Sequence, residues 1–352
     1  MIKARVIGAG GYGGVGICEL LVRHPEVEIA VLVDRGTAGR IYSDVYPHLR
    51  GFLDVPVAAP GSSEAGVEAD VTFMATPDGV GMVLAESELD AGAKVIDYSG
   101  DFRFNTAEAY ADYATRLDKD PQHKSPALLP LAVYGLPELH RDTLTPSAKL
   151  VGNPGCFAVS GILGLAPAVA GSLVDTDTLI CDCKTGVSGA GKKPSPAFHY
   201  PARYDQMNAY RLSGHQHVCE IERELSLVGG KDIRVTFTAQ VVPACRGIMS
   251  VLYGQAADGV TETSLKAAYD DFYSDSPFVH VFPSDADIGT AQVRGTNRCF
   301  LVVSLDARTG RMRIVSYIDN LVKGQAGSAL QNMNLLFGLP ETTGLDQPGM
   351  YP

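Results

Sequence analysis

Short apolar runs alternate with amphipathic segments through the first half of the chain. Residues 4–7, 27–33, 69–75 and 93–98 predict strands, and Val15 to Arg23 predicts an amphipathic helix between the first two. Strands that alternate with helices are typical of a parallel, doubly wound sheet. Such a sheet binds its ligand at the carboxyl ends of its strands, so the residues that follow each strand are candidates for a site.

The pattern changes after residue 150. Residues 178–183, 233–242, 248–253, 300–305 and 312–317 predict strands, and several of them alternate apolar with polar residues. Alternation indicates a sheet with one face buried and the other half exposed, which is typical of antiparallel pairing. We therefore expect an α/β half followed by an α+β half with a mixed, largely antiparallel sheet.

Glycines lie between the first predicted strand and the first predicted helix. Gly8, Gly10 and Gly13 fit a G-x-G-x-x-G frame, while Gly8, Gly11 and Gly14 fit a G-x-x-G-x-x-G frame. Glycines let the backbone approach a pyrophosphate, and the helix N-terminus supplies N–H donors. Because strand, glycines and helix occur in the required order, the segment predicts a Rossmann dinucleotide-binding loop, with an ordinary flexible turn as the alternative.

The ends of later predicted strands carry further candidate ligands. Asp34 follows the second strand, where an acidic residue holds the ribose hydroxyls of NAD, but the adjacent Arg35 could pair with the 2′-phosphate of NADP. The sequence leaves both cofactors open. Thr76 and the segment 99–103 follow the third and fourth strands, which makes Arg103 a candidate anion ligand.

A cysteine stands at the start of a long apolar run. Asn153-Pro154-Gly155-Cys156 predicts a tight turn into a buried helix, with Asn153 as N-cap and Pro154 at the first helical position. The Cys156 sulfur would then lie near unpaired N–H groups and the positive end of the helix dipole, which both stabilise a nucleophilic thiolate. A small buried hydrophobe is the alternative for a single cysteine.

Two histidines, His215 and His217, stand before a short predicted helix. A general acid/base role for His215 beside Cys156 is the most economical interpretation. Cys219 invites a metal interpretation, but local spacing supplies no second group of ligands, so we expect no metal.

Composition narrows the class of protein. The 352 residues are enough for two domains, and a net charge of −11 disfavours nucleic-acid binding while leaving room for an anionic small substrate. The chain has no bilayer-length apolar run and no signal-peptide pattern at its start. The seven cysteines lack C-x-x-C spacing and indicate reduced thiols, so we expect a cytoplasmic protein with no membrane partner.

Several motifs in a fixed order resemble the N-acetyl-gamma-glutamyl-phosphate reductase family along almost the whole chain. The segments that carry the resemblance are 8–14, 97–103, 134–138, 153–156, 188–193, 215–221, 246–248 and 319–324. The chain departs from the family pattern at Gly10, where serine is usual, at Asp34-Arg35, where Ser and Thr are common, and at Cys219, where proline is usual. The residues after Cys156 also differ, without loss of a catalytic group.

The resemblance implies a two-domain enzyme. Residues 1–150 and 324–352 would form a Rossmann NAD(P)-binding domain, and residues 151–323 a catalytic domain whose sheet supports a homodimer or homotetramer. The implied reaction is that of an NADP-dependent acyl-phosphate reductase of arginine biosynthesis. It converts N-acetyl-glutamyl 5-phosphate to N-acetyl-glutamate 5-semialdehyde and phosphate through a Cys156 thioester. NADP is the expected cofactor, with NAD not excluded.

The resemblance also implies roles for individual residues. Cys156 would be the nucleophile and His215 the general acid/base. Substrate binding is expected at Ser99, Arg103, Lys184 and His217. Cofactor binding is expected at Gly8, Gly10, Gly11, Tyr12, Gly13, Gly14, Arg35, Thr37, Thr76, Gly189 and Asn320.

Three other functions fit parts of the sequence. Aspartate-semialdehyde dehydrogenase shares the cysteine chemistry, but the segment 215–221 favours the acetylglutamyl family. A lysine-pathway aminoadipyl-phosphate reductase differs by one methylene of substrate, which a pocket discriminates by only about 1–3 kcal/mol. A catalytically silent nucleotide-binding regulator is disfavoured by the intact Cys156 and His215.

Overall fold

A computed structural model describes residues 1–349 and 351; residues 350 and 352, which fall in the expected span 324–352, lie outside the described residues. The chain forms two compact units. The first contains Met1–Thr115, Asp120–Pro154 and Gln325–Gln347. The second contains Arg116–Lys119, Gly155–Gly324 and the described residues from Pro348 onward.

The first unit is built on a parallel sheet in the order β3-β2-β1-β4-β5-β7-β6. Every pairing between its strands is parallel, as the alternation of strands and helices predicted. The strands are β1 Ile2–Ile7, β2 Val27–Val33, β3 Val57–Ala58, β4 Val71–Met74, β5 Lys94–Asp97, β6 Ala132–Tyr134 and β7 Leu150–Gly152. The central strand β4 is buried along its whole length, because a parallel sheet is covered on both faces.

Helices connect these strands. They are α1 Tyr12–Leu21, α2 Tyr42–Val45, α3 Gly81–Asp90, α4 Ala107–Thr115, α5 Pro137–His140 and, after the chain returns from the second unit, α11 Gly327–Leu336. Short 3₁₀ turns cover Pro47–Leu49, Glu64–Gly66 and Pro126–Leu131. Helix α1 begins three residues before the predicted Val15, because Gly11 is its N-cap.

The second unit is built on a mixed sheet in the order β12-β13-β14-β11-β8-β10-β9. Pairs β8–β10 and β12–β13 are parallel and the others are antiparallel, which confirms the expected mixed, largely antiparallel sheet. The strands are β8 Val174–Thr185, β9 Asn208–Tyr210, β10 Thr236–Val241, β11 Ile248–Ala256, β12 Val279–Phe282, β13 Cys299–Asp306 and β14 Arg311–Ile318.

The helices of the second unit are α6 Cys156–Ala170, α7 Tyr200–Arg203, α8 His217–Gly229, α9 Glu262–Phe272 and α10 Thr290–Val293. Shorter turns are Val187–Ala190, Pro196–Phe198 and the π-helical Val322–Ala326. Helices α6 and α9 pack on one face of the sheet, and α8 packs on α6. None of the helices in the described part of the chain is long and apolar enough to cross a membrane.

Strand alternation sorts the residues of the second sheet between two faces. Cys181, Leu252 and Ile314 are buried on the side that α6 covers. Their neighbours along the strands, such as Tyr253 and Val315, point to the opposite face and are half exposed. The sheet therefore presents a second face, on which apolar residues are mixed with charged ones such as Asp182 and Arg313, and no other element of the described chain buries it.

Gly152 at the end of β7 carries a testable constraint. A Cβ there would lie 2.1 Å from the Phe102 carbonyl oxygen and 2.8 Å from the Arg103 backbone nitrogen. Both are backbone atoms, so relieving the clash requires a shift of the main chain. We expect Gly152→Ala to lower the melting temperature by about 2–12 °C, since overpacking of this kind costs about 1–3 kcal/mol. Gly66→Ala is the matched control, because nothing lies within 4 Å of a Cβ at that position. Equal melting temperatures for the two variants would show that the contact is not rigid.

Candidate active site

Cys156 is the first residue of α6, and Gly155 is its N-cap with φ −73° and ψ 146°. The cysteine therefore lies in the first turn of a buried helix, as predicted. The prediction that Asn153 is the N-cap is wrong. The Asn153 N–H donates to the Asp97 carbonyl at 2.8 Å and its amide Nδ2 donates to the Gln325 carbonyl at 3.0 Å. These contacts commit Asn153 to the first unit, so the helix starts two residues later than the capping preference indicated.

Gly155 brings the cysteine backbone against a buried imidazole and carboxylate. Its N–H donates to Glu220 Oε2 at 3.0 Å, and Glu220 is fully buried. A Cβ on Gly155 would lie 2.4 Å from His217 Nε2 and 2.8 Å from Glu220 Oε1. His217 Nε2 is itself 4.0 Å from Glu220 Oε1. Only glycine admits both groups at this distance, immediately before the sulfur-bearing residue.

His215 is buried beside His217 and is held in one tautomer. The His217 N–H donates to His215 Nδ1 at 3.2 Å, which leaves the proton of the neutral ring on Nε2. The two rings are 4.9 Å apart between centroids. Burial, followed by the charges of His217 and Arg211, lowers the pKa of His215 from 6.5 to about 2. His215 is therefore a neutral hydrogen-bond donor at physiological pH.

A cavity of about 590 Å³ opens in the second unit in front of these groups. Its polar and cationic lining includes Cys156, His215, His217, Thr185, Asn208, Tyr210, Arg203 and Arg211. Apolar side chains such as Phe157, Phe198 and Val241 complete the wall. The cavity thus combines a helix-terminal thiol, two imidazoles and cationic groups in one space.

The two arginines of the cavity differ in their surroundings. Arg203 is buried, and its guanidinium donates to the Ala197 carbonyl at 3.1 Å and to Asn208 Oδ1 at 2.8 Å. Arg211 is exposed, donates to Gln216 Oε1, and has φ +50°, which is uncommon for a residue with a side chain. Arg203 fixes the loop that forms the wall, whereas the Arg211 side chain lies at the solvent-exposed side.

The predicted residues of the second unit lie in three places. Cys156, His215, His217 and Gly189 line the cavity. Asn320 lies beside Gly189: its Nδ2 donates to Ser188 Oγ at 3.0 Å and its Oδ1 accepts from the Gly247 N–H at 2.7 Å. Lys184 belongs to neither set. It alternates with Thr185 on β8, so it points to the opposite face of the sheet, where it pairs with Asp182.

Sequence reasoning missed Glu220, Arg203 and Arg211. Glu220 follows His217 by three residues on α8, a spacing that places both on one face of a helix and could have revealed the pair. Nothing in the local pattern distinguishes the two arginines from solvated surface residues. Helix α8 also starts at His217, three residues before the predicted helix at Glu220.

The glycine-rich loop of the first unit has the shape that a pyrophosphate requires. Gly8 has φ +84°, and a Cβ there would lie 2.4 Å from the Ala75 carbonyl oxygen. A Cβ on Gly14 would lie 2.3 Å from the Gly8 carbonyl oxygen. The hydroxyl of Thr76 is buried with no hydrogen-bond partner among the described residues. These residues fit a dinucleotide. The glycines leave the backbone accessible where phosphates approach, and the Thr76 hydroxyl can donate a hydrogen bond to a bound group.

The other predicted cofactor residues surround this loop. Tyr12 is the first residue of α1, after the N-cap Gly11, and Gly13 lies close to Gln325. At the end of β2, Arg35 is exposed while Thr37 is buried.

Arg103 and Ser99 lie at the carboxyl end of β5. Arg103 is buried; its Nε donates to the Asn153 carbonyl at 2.8 Å and its Nη2 to the Tyr98 carbonyl at 2.7 Å. Ser99 Oγ donates to Asp97 Oδ2 at 2.5 Å. Burial and the nearby Asp101 raise the pKa of Asp97 to about 8. Arg103 therefore braces the turn that leads to Cys156 and places its guanidinium among carbonyl oxygens.

The depressed pKa of His215 predicts a dependence of stability on pH. The unfolded imidazole takes up a proton near pH 6.5 but the folded one only near pH 2, so the unfolded state binds more protons between these values. Stability must then fall as the pH drops below 6.5, by about 1.4 kcal/mol per pH unit from this group. We expect the free energy of unfolding of His215→Asn, measured in urea at pH 7.5 and 5.0, to lose about 2 kcal/mol less than that of the unsubstituted protein. Parallel losses in the two proteins would show that His215 is accessible to protons in the folded state.

Comparison with known proteins gives a consistent result in both units. A model of the semialdehyde dehydrogenase NAD-binding domain matches residues 3–147, and one of the semialdehyde dehydrogenase dimerisation domain matches residues 156–320. Among solved structures, aspartate semialdehyde dehydrogenase II of Vibrio cholerae in complex with ASA superposes with a TM-score of 0.70 at 16% identity, covering 96% of this chain and 98% of that one. Aspartate semialdehyde dehydrogenase of Candida albicans, solved with NADP, gives 0.67 at 18% identity, with the same coverage. These structures share the fold.

Relatives with higher identity cover the whole chain. N-acetyl-gamma-glutamyl-phosphate reductases of Moorella thermoacetica and Desulforudis audaxviator are each 42% identical over 352 residues, which is 100% of this chain and 100% of theirs. With the thiol, the imidazoles and the glycine loop in place, this similarity settles the family. The chain belongs to the N-acetyl-gamma-glutamyl-phosphate reductase family.

Proposed function

We propose that the protein reduces N-acetyl-glutamyl 5-phosphate to N-acetyl-glutamate 5-semialdehyde and phosphate, the reaction that its relatives' name describes. The observation that carries this proposal is Cys156 at the first position of a buried helix, with His217 and Glu220 against the residue before it. A helix N-terminus and an adjacent imidazole both favour the thiolate. We assign the Glu220 carboxylate, 4.0 Å from His217 Nε2, to orient this imidazole as the base for the thiol.

The chemistry divides into two stages. In the first, the Cys156 thiolate attacks the acyl carbon, the C–O bond to phosphate breaks, and phosphate leaves with its electron pair, which produces a thioester on Cys156. The reduced nicotinamide, when bound, supplies the hydride that reduces this thioester. The thiohemiacetal on Cys156 then collapses, its C–S bond breaks, and the aldehyde and the thiolate are released.

The two histidines have different parts in this scheme. His217, backed by the Glu220 carboxylate, is the group that accepts the thiol proton of Cys156. His215 is neutral with its proton on Nε2, so it can donate a hydrogen bond to the oxygen that becomes negative in the tetrahedral states. The general acid/base work that the sequence assigned to His215 is thus shared between two rings 4.9 Å apart.

Cations of the site bind the anionic groups of the substrate. We assign Arg211, on the exposed side of the cavity, to a substrate carboxylate, since Arg203 is engaged with Ala197 and Asn208. Arg103 and Ser99 are proposed for the phosphoryl group, because both lie at the carboxyl end of a parallel strand. Lys184, on the other face of its strand, is the least suited of the candidates that the sequence offered.

The two domains expected from the sequence have different functions in this proposal. Residues 1–150 and 324–352 hold the dinucleotide, and residues 151–323 carry the chemistry. NADPH is the donor, with Arg35 pairing with its 2′-phosphate and Gly189 and Asn320 near the nicotinamide. We further propose a cytoplasmic enzyme, since all seven cysteines are thiols and a reducing compartment keeps them so.

A homodimer or homotetramer is proposed to form through the half-exposed face of the second sheet. Ile180, Val251, Tyr253, Val315 and Tyr317 lie on that face, opposite the side covered by α6. Half-exposed aliphatic and tyrosine side chains grouped on one face favour an interface, and the neighbouring Asp182, Lys184 and Arg313 add polar contacts to it. The matching family model is described as a dimerisation domain, which supports an oligomer formed through this domain.

The alternatives are weaker on specific grounds. The aspartate semialdehyde dehydrogenases named above share 16–18% identity with this chain, against 42% for the acetylglutamyl relatives. A silent regulator would not need a thiol at a helix N-terminus next to an imidazole–carboxylate pair. The aminoadipyl reductase differs by a methylene, and the assay below separates it.

Replacing the nucleophile tests the function. We expect Cys156→Ser to lower kcat by roughly 10³-fold or more, because an oxygen nucleophile is neither a thiolate nor able to form a thioester. The assay follows NADP reduction with N-acetyl-glutamate semialdehyde and phosphate, and it is repeated with aspartate semialdehyde and with the aminoadipate-derived semialdehyde.

Cys245→Ser is the matched control, since Cys245 is the exposed thiol and should tolerate the change. Phosphate-dependent turnover that survives in Cys156→Ser would overturn the thioester mechanism. Faster turnover of either other semialdehyde would overturn the substrate assignment.

Arg211 gives a prediction about binding. Arg211→Asn removes the charge while keeping a residue that accepts a positive φ. We expect the KM for N-acetyl-glutamate semialdehyde to rise about tenfold or more with kcat changed by less than about threefold, since a charge-assisted hydrogen bond is worth about 1.5–3 kcal/mol. Arg211→Lys should recover part of the loss. Arg308→Ala, at an exposed arginine outside the cavity, is the control, and an unchanged KM in Arg211→Asn would remove this role.

A further inference from the structure

The carboxylate of Asp34 lies at the edge of the dinucleotide loop in a fixed orientation. Its Oδ1 accepts from the Gly36 N–H at 2.8 Å, the Thr37 N–H at 2.9 Å and the Thr37 hydroxyl at 2.9 Å. Its Oδ2 accepts from the Gly10 N–H at 3.2 Å. These contacts pin the carboxylate between the end of β2 and the glycine loop, so its position does not depend on a bound cofactor.

Two departures from the family pattern meet at this point. A Cβ at position 10 would lie 2.7 Å from Asp34 Oδ1 and 2.9 Å from Asp34 Oδ2. A serine at position 10 would therefore collide with an aspartate at position 34. Asp34 in this orientation therefore requires glycine at position 10, because its carboxylate occupies the space that a side chain there would fill.

Asp34 has the position of the residue that reads the adenosine ribose. It follows Gly14, the last glycine of the loop, by 20 residues and stands at the end of the second strand. An acidic residue there accepts hydrogen bonds from the ribose 2′-hydroxyl. Oδ1 is already saturated by three donors, so Oδ2, on a half-exposed carboxylate, is the oxygen that can take a further hydroxyl.

The same carboxylate acts against a 2′-phosphate. That phosphate would bring about two negative charges toward Asp34, which is held in place and cannot swing away. The exposed Arg35 beside it supplies an opposing attraction. Asp34 and Arg35 thus have opposite effects on the affinity for a 2′-phosphate. A loop with an uncharged residue at position 34 would lack the repulsion.

We propose that Asp34 makes this reductase accept NADH alongside NADPH, by binding the ribose 2′-hydroxyl of NADH and repelling the 2′-phosphate of NADPH. This inference rests on the proposed function for the identity of the cofactor class. Asp34 is the specificity-determining residue and Arg35 retains affinity for NADPH.

The test measures binding without substrate, by isothermal titration of NADH, NADPH and adenosine 2′,5′-bisphosphate into the full chain. We expect the unsubstituted protein to bind NADH with a Kd within about tenfold of that for NADPH. Asp34→Ser should raise the ratio of the NADH Kd to the NADPH Kd by at least about tenfold and tighten the bisphosphate. Arg35→Ala should move the ratio in the opposite direction.

Asp54→Ser is the matched control, since it removes an exposed carboxylate of the same unit that accepts from the Gly51 N–H and lies outside the loop. A ratio unchanged by Asp34→Ser, or NADPH binding with no measurable NADH binding, overturns the inference and leaves the reductase assignment intact. Failure to bind any of the three nucleotides overturns both. If the ratio shifts as expected but the semialdehyde assay shows no turnover, the inference survives and the proposed reaction does not.

Discussion

The hydrogen bond from the Gly155 N–H to the buried Glu220 carboxylate organises the part of the second unit that surrounds Cys156. Glu220 lies on α8 and Gly155 caps α6, so one contact fixes the start of the cysteine helix against the helix that carries His217. A fully buried carboxylate is costly unless its oxygens are paired. Here the Gly155 N–H bonds one carboxylate oxygen and the His217 ring faces the other, and this arrangement requires glycine at position 155.

Neutrality of His215 follows from the same crowding. Two rings 4.9 Å apart in a buried setting cannot both be protonated, and Arg211 adds a further positive charge. The consequence is a division of labour: one ring has a carboxylate partner and the other is a fixed N–H donor. The proposed reaction passes through a thiolate and then an oxyanion, and it would benefit from two rings that do not exchange these roles.

In the first unit, glycines leave the backbone of the dinucleotide loop accessible to phosphate, while hydrogen bonds fix the side chains around it. Close approaches of Gly8 and Gly14 to neighbouring backbone shape the loop, and Asp34 holds its outer edge. At the end of β7 in the same sheet, the amides of Asn153 and Asn332 tie the following turn to Gln325 and to α11. The chain that leaves the unit for Cys156 therefore starts from a fixed point.

Local chemistry in the sequence determined much of this protein. The alternation of strands and helices, the glycines between β1 and α1, and the cysteine at the head of an apolar run each depend on neighbours along the chain, so periodicity and turn preferences reveal them.

Tertiary structure decided the rest. The N-cap of α6 is Gly155 and not the predicted Asn153, because the contacts of Asn153 with Asp97 and Gln325 outweigh its local capping preference. Glu220 became the partner of Gly155 across 65 residues, and Lys184 fell on the far face of its strand. Such pairings join residues distant in sequence, so only the packing of elements against one another could determine them.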